Sequence, residues 1–310
     1  MISRREALKG LALLTGATIL TRKNVAGNTF APESHFSYCL NTSTISGQKV
    51  GFLKEFEITA KAGYNGIEIW VRDLEKYVQE GGSLKDLKKY AGDLGLTIEN
   101  AIGFAQWAVD DENTRKAGME QLKREMEMLA KIGCKRIAAP PAGATSPPLL
   151  DLFKVAERYR KVLELGDQTG VLPQLEIWGS SANLYHISQA LFVASATSHP
   201  KACILPDVYH MFRGGSPYES LKFMSGSSIE MFHFNDFVSS IPREEQKDSD
   251  RVYPGDGAAP FKQIISYLKE SGGKKVLSLE LFNSEYWKKD ALEVAKTGLE
   301  KMKLVVAENS

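Results

Sequence analysis

Leu172-Pro-Gln-Leu-Glu-Ile-Trp178 is a nearly continuous apolar run that carries one carboxylate, Glu176, close to its carboxyl end. The polar/apolar alternation of a strand with one wet face is missing, so the run reads as a parallel strand covered on both sides. Seven runs of the same kind accompany it: Phe36 to Leu40, Gly66 to Trp70, Leu96 to Phe104, Arg136 to Pro140, Ala202 to Asp207, Ile229 to Phe234 and Lys275 to Phe282. Amphipathic stretches lie between them. Helices are expected at Gly51 to Ala62, Lys85 to Leu94, Asn113 to Ile132, Leu149 to Gln168, Ala182 to Ala196, Tyr218 to Phe223, Pro260 to Ser271 and Tyr286 to Val306. Eight strand–helix units are the arithmetic of an α/β (β/α)8 TIM barrel, which typically takes about 250 residues. A single such domain is expected over residues 32–307. A doubly wound open sheet also alternates strand and helix, but no Gly-x-Gly-x-x-Gly follows any of the runs, which favours the barrel.

The 310 residues carry 39 Lys+Arg and 38 Asp+Glu, a formal net charge of +1. That balance lacks the basic footprint of a nucleic-acid binder. The three cysteines, Cys39, Cys134 and Cys203, are widely separated with no Cys-x-x-Cys, so neither a zinc knuckle nor a disulfide framework is indicated. The amino terminus reads differently from the rest. Arg4 and Arg5 precede an apolar stretch from Leu8 to Leu20, the outline of an export signal and too short for a comfortable membrane span. Ser3-Arg-Arg-Glu-Ala-Leu-Lys9 resembles a bacterial twin-arginine leader, with Ala7 where such leaders prefer Phe. Residues 1–26 are thus expected to direct export to the periplasm or another extracytoplasmic space, either cleaved near Ala26 or retained as an anchor. A cleaved chain would carry 34 basic and 37 acidic side chains, a net charge of −3, and no membrane span.

In a barrel the chemistry gathers at the carboxyl ends of the strands. Glu68, Glu176, Asp207, His233, Asp236 and Glu280 all fall there. Carboxylates flanked by Leu, Ile, Trp or Phe are costly to bury unless paired, protonated or metal-bound. Glu176 and Glu280 are the clearest cases. Together Glu176, Asp207, His233 and Glu280 offer the oxygen-plus-imidazole ligand set of Mn2+, Mg2+, Co2+ or Zn2+. Taken singly, each also fits a buried salt bridge or a satisfied core histidine. His210, three residues beyond Asp207, is expected just past its strand, within reach of a substrate hydroxyl or carbonyl. Trp70, Phe104, Trp107, Trp178 and Trp287 are candidate aromatic walls against the apolar face of a sugar, with core packing as the alternative.

The segments GYNGIEIW at 63–70, LEIW around Glu176, DVYH around Asp207 and His210, HFND around His233, YPGDG at 253–257 and SLELF around Glu280 resemble the xylose isomerase-like barrel family. That family includes sugar epimerases and isomerases, hydroxypyruvate isomerase, inosose dehydratase and, more distantly, endonuclease type IV. The resemblance spans about residues 36 to 300. It implies that Glu176, Asp207, His233 and Glu280 bind one divalent metal ion, that Glu176 and Glu280 also act as base and acid on opposite faces of a substrate carbon, and that His210 contacts substrate. Two positions depart from the ketose-epimerase pattern. An arginine six residues after the ligand histidine is replaced by Ser239, with Arg243 and Arg251 as candidate substitutes, and a glutamate six residues after the first ligand is replaced by Ala182. Asp236 resembles the His-x-x-Asp pattern of other branches and is expected to bind substrate or assist the metal.

The expected activity is isomerisation or epimerisation of a neutral sugar or related polyol, a small-molecule carbohydrate or cyclitol, through a cis-enediolate. A dehydratase that expels a β-hydroxyl from the same enolate is the second reading, and a non-catalytic carbohydrate-binding barrel the third. Export favours an unphosphorylated substrate. Oligomeric state is not legible in the sequence.

Overall fold

The computed structural model describes residues 35–309; the expected export segment and the first residues of the 32–307 domain lie outside them. All eight expected strands form: β1 (Phe36–Asn41), β2 (Gly66–Trp70), β3 (Thr97–Ile102), β4 (Arg136–Ala139), β5 (Leu172–Glu176), β6 (Ile204–Leu205), β7 (Met231–His233) and β8 (Lys275–Leu279). Every neighbouring pair is parallel, in the orders β3-β2-β1-β8-β7 and β4-β5-β6. The two arcs close on each other. Lys135 N donates to Ile98 O at 3.3 Å between β3 and β4, and His233 N donates to Pro206 O at 2.9 Å between β6 and β7. A closed ring of eight parallel strands leaves no exposed edge, and the continuous apolar runs fill its two covered faces.

The helices are α1 (Phe52–Ala62), α2 (Val71–Gln79), α3 (Leu84–Asp93), α4 (Glu112–Ile132), α5 (Leu152–Thr169), α6 (Ile187–Ala196), α7 (Val208–Arg213), α8 (Phe261–Glu270) and α9 (Ala291–Glu308), with a 3-10 turn at Tyr218–Phe223. Their ends are set by local chemistry. Ser83, Asp111, Asp151 and Asp290 accept backbone N–H bonds in the first turns of α3, α4, α5 and α9, and Gly63, Gly133 and Gly170 end α1, α4 and α5 in the left-handed conformation. Three helices start three to five residues later than expected. Asp151 and Asp290 place the caps of α5 and α9, and His186 caps α6 by accepting from Ser188 N. Helices α2 and α7 were not expected. Each starts within three residues of the end of its strand, and α7 is capped by Asp207 itself, which accepts from His210 N. His210 is therefore on a helix, not in a loop.

Six of the strands end short of their apolar runs, because ladder bonding stops at the rim while the chain remains apolar. As a result Glu176 and His233 are the last residues of β5 and β7, Glu280 follows β8 directly, and Asp207 lies two residues past β6. The three cysteines are buried and free. Among the described residues no helix is long and apolar enough to cross a membrane.

Two of the acids buried outside the barrel mouth, Glu55 and Glu125, hold their protons unusually tightly. Burial and Asp73 push Glu55 of α1 up to about 8, with Arg72 pulling it back. Burial pushes Glu125 of α4 up to about 7 against a hydrogen bond from Gln121. Both folded-state values exceed those of an unfolded carboxyl, about 4.3. Their contribution to stability is therefore complete below that value and is lost as pH rises through about 7 for Glu125 and about 8 for Glu55. The variant Glu55→Gln is expected to melt roughly 2–5 °C above wild type at alkaline pH and to converge with it at acid pH, as read by calorimetry across the pH range. An unchanged difference at both ends would refute the assignment.

Candidate active site and metal centre

The carboxyl ends of β6 to β8 bring three donors together, and Glu176 of β5, expected as a fourth ligand, is not among them. One ligand atom each from Asp207, His233 and Glu280 lies within 4.8 Å of the others, and all three residues are buried. Glu176, 3% exposed, borders the same cavity as Glu280. Its Oε2 has no hydrogen-bond partner.

The orientation of His233 follows from its surroundings. Nε2 lies 2.9 Å from Glu68 Oε1, while Nδ1 lies 3.4 Å from Asp207 Oδ2 and 3.3 Å from Glu280 Oε2 and makes no hydrogen bond. With Nε2 engaged by Glu68, Nδ1 is the ring nitrogen left facing two carboxylate oxygens, the one open to a cation in place of a proton. This is the carboxylate–histidine arrangement by which a ligating imidazole is fixed. Glu68 is itself held by Asn100 Nδ2 at 2.7 Å and Ser278 Oγ at 2.5 Å. Glu280 Oε1 accepts from Asn41 Nδ2 at 3.1 Å, and Asp207 Oδ2 accepts from Asn235 Nδ2 at 3.0 Å.

Charge accumulates here to an unusual degree. Burial pushes Glu176 up to about 8; His233 opposes this, and Glu280 and Asp207 add to it. Burial works against ionised Asp207, but the Arg251 guanidinium, together with His210 and His233, outweighs it and holds the carboxyl far below its usual range. Burial likewise resists charge on His233, yet Glu280 and Glu68 outweigh it and raise the imidazole well above its ordinary value. The cluster thus calls for a cation among its oxygens. The Nδ1 of His233, without a hydrogen-bond partner, and the oxygen-plus-imidazole donor set of Asp207, His233 and Glu280 fit a divalent metal ion.

Above the cluster opens a cavity of about 260 Å³, walled by Trp70, Phe104, Trp178 and Phe282, with Glu176, Glu280, His210, Asp248 and Arg251 among its polar lining. Neighbouring rings around the mouth touch, with centroids 5.5 Å apart for Trp70–Phe104, 5.9 Å for Phe104–Trp178 and 6.0 Å for Trp70–Phe282. Trp107 and Trp287 do not take part. The former is core and donates to Pro140 O, and the latter covers Gly47 and donates to Ser43 O.

Three candidates require correction. Asp236 does not line the cavity: its carboxylate accepts from the backbone N–H groups of Phe237, Gly255, Gly257 and Ala259, so its lone pairs are spent on the loop. Glu68 does not reach substrate, because it lies behind His233, fully buried. Arg243 pairs with adjacent Glu244 at 2.7 Å and is largely exposed, outside the cavity lining. Arg251, by contrast, is at the centre of the site, bonded to Asp207 at 3.1 Å and Glu280 at 2.8 Å. Asn41, Asn100, Asn235, Asp248 and Ser278 were not singled out from the sequence. Asn41 and Asn100 are polar residues in otherwise apolar strands, a signal that was available; Asp248 lies in a polar loop that gives none.

The supporting role of Glu68 can be measured directly. Glu68→Gln is expected to weaken divalent-metal affinity about 10- to 100-fold, read by titration calorimetry. Unchanged affinity would remove Glu68 from the site.

Residues 56–304 match the family model described as a xylose isomerase-like TIM barrel. An inosose isomerase of Bacillus velezensis is 30% identical over 87% of this chain and 96% of its own. A 3-dehydroshikimate dehydratase of Pseudomonas putida is 21% identical, covering 79% of this chain and 38% of its own. Among solved structures, the IolI protein with a bound zinc atom superposes with a TM-score of 0.81 at 26% identity, covering 88% of this chain and 99% of its own. The parallel barrel, the ligand cluster at its carboxyl rim and a match across most of the described chain all agree: this chain belongs to the xylose isomerase-like TIM barrel family.

Proposed function

We propose that this chain is a divalent-metal-dependent isomerase or epimerase of a neutral sugar or cyclitol, working by proton abstraction beside a carbonyl. The observation that carries the reading is the pair Glu176 and Glu280. They are two buried carboxylates on β5 and just past β8, bordering one cavity, and Glu176 keeps an oxygen free of any protein partner. A divalent ion held by Glu176, Asp207, His233 and Glu280 would supply the Lewis acidity that steadies enediolate charge.

Glu176 Oε2 is the group available to take a proton from carbon, and burial raises its proton affinity to about 8, close to the range suited to a base at neutral pH. Glu280, braced by Asn41, returns a proton from the other side in an epimerisation. His210 lines the cavity and can hydrogen-bond a substrate hydroxyl. The aromatic walls exclude water and offer flat faces to the C–H side of a sugar or inositol ring. About 260 Å³ holds one such ring rather than a long chain. Relatives named inosose isomerase and fructoselysine 3-epimerase fall within this chemistry. Dehydration is the second reading, favoured by relatives named 3-dehydroshikimate dehydratase and by Ser239 and Ala182 at the two positions that depart from the ketose epimerases. The Arg4-Arg5 stretch supports, in this reading, export from the cytoplasm.

With Mn2+ and a panel of neutral ketoses and inososes in D2O, the wild type is expected to carry solvent deuterium into product. Glu176→Gln and Glu280→Gln should each slow that exchange by at least about 100-fold. Near-wild-type exchange in either variant would sink the two-carboxylate reading. Product of unchanged formula marks an isomerase or epimerase; product one water lighter marks a dehydratase. If the leader acts as proposed, replacing Arg4 and Arg5 by Lys should retain the protein in the cytoplasmic fraction, and unaltered export would overturn that part.

A further inference from the structure

Arg251 is only 1% exposed, yet it touches the very oxygens that face His233. Its Nη1 donates to Glu280 Oε2 at 2.8 Å and to Asp207 Oδ2 at 3.1 Å. Those are the two atoms nearest His233 Nδ1. The guanidinium thus competes for the same oxygen lone pairs that a metal at the triad would use.

Two features show that this placement is not the best the arginine could have. Nη2 lies 3.0 Å from His210 Nε2, while Gly179 N points at His210 Nδ1 from 3.2 Å. A neutral imidazole has one ring acceptor and a charged one has none. Whichever state it takes, at least one of the two donors meets an N–H. Arg251 Nε, moreover, is buried with no acceptor. What holds the group is charge and its slot: Asp248 Oδ1 at 2.6 Å, and the rings of Tyr209 and Phe282, 4.6 and 5.2 Å from the guanidinium carbon.

From this geometry we infer that Arg251 is a resident counter-cation: it holds Asp207 and Glu280 in their ligating pose before a divalent ion arrives and gives up those oxygens when the ion binds. The inference rests on the metal reading above and adds a function for a residue of this chain. Before loading, the guanidinium screens the repulsion between carboxylates that are out of water, where charges are felt strongly. On loading, two cations cannot share the same lone pairs. Release of Nη1 and Nη2 leaves His210 Nε2 free to carry a proton toward the cavity while Nδ1 keeps the Gly179 bond. Loading of the ion and readiness of His210 for substrate are then one event.

Removing the competitor should tighten metal binding, the reverse of what loss of a purely structural arginine would do. Calorimetric titration of the metal-stripped full chain with Mn2+ is expected to show one site in the wild type, at least 10-fold tighter binding in Arg251→Ala, and binding within about 3-fold of wild type in Arg251→Lys, which keeps the charge. Millimolar guanidinium should weaken Mn2+ binding to Arg251→Ala by refilling the slot and leave the wild type unaffected. Unchanged or weaker Mn2+ binding in folded Arg251→Ala, or no effect of guanidinium on it, overturns the proposal. If Arg251→Ala does not fold, Arg251→Lys decides: binding weakened 10-fold or more overturns the proposal and near-wild-type binding supports it. A wild type that binds no Mn2+, Co2+ or Zn2+ defeats the metal reading itself, and this inference with it.

Discussion

Burying carboxylates at the mouth of an apolar barrel is the constraint around which this molecule is arranged. Glu68, Glu176, Asp207 and Glu280 are all under 5% exposed, where ionised groups without partners are prohibitively costly. The barrel supplies the partners from its own strands. Asn41 from β1, Asn100 from β3 and Ser278 from β8 each direct one donor at a carboxylate oxygen, and Asn235 does so from just past β7. The cost is met only in part. Glu176 Oε2 and His233 Nδ1 remain without hydrogen bonds, and a buried set left incomplete in this way is the signature of a site built for something else to enter.

Much of this was legible in the sequence because the barrel imposes a simple rule on it. Strands covered on both faces must be apolar, so a carboxylate within Leu-Glu-Ile-Trp or Ser-Leu-Glu-Leu-Phe stands out against its neighbours. Glu176 and Glu280 could therefore be found without coordinates, and register in the ring places Asp207 and His233 beside them. What could not be read was which polar side chains turn inward to the cavity and which turn back onto the fold. Asp236 has a neighbourhood much like that of His233, yet it faces the backbone of residues 255–259. Arg243 and Arg251 lie in the same polar loop. Only Arg251 is folded inward, between two aromatic rings, because Asp248 and Asn283 seize it at both ends. Helices α2 and α7 escaped for a different reason: each starts within three residues of the end of β2 or β6, with no long polar turn to separate helix from strand.

The relation to known barrels has the same two levels. Ring closure follows the family, whereas Arg251 enters the cavity from the segment between β7 and α8. The ring sets the carboxylates, and the loop sets the cation beside them.

Asp236 makes that division physical. By gathering the N–H groups of Phe237, Gly255, Gly257 and Ala259 onto one carboxylate, it pins both feet of the segment between them, which includes Asp248 and Arg251. A loop clasped at its base can change in length and composition at its crown without transmitting strain to β7 or α8. The clasp turns the segment into an exchangeable cassette, and recombination within residues 238–254 is the path of least resistance by which a lineage built on this barrel would acquire a new substrate while inheriting the ligand cluster intact.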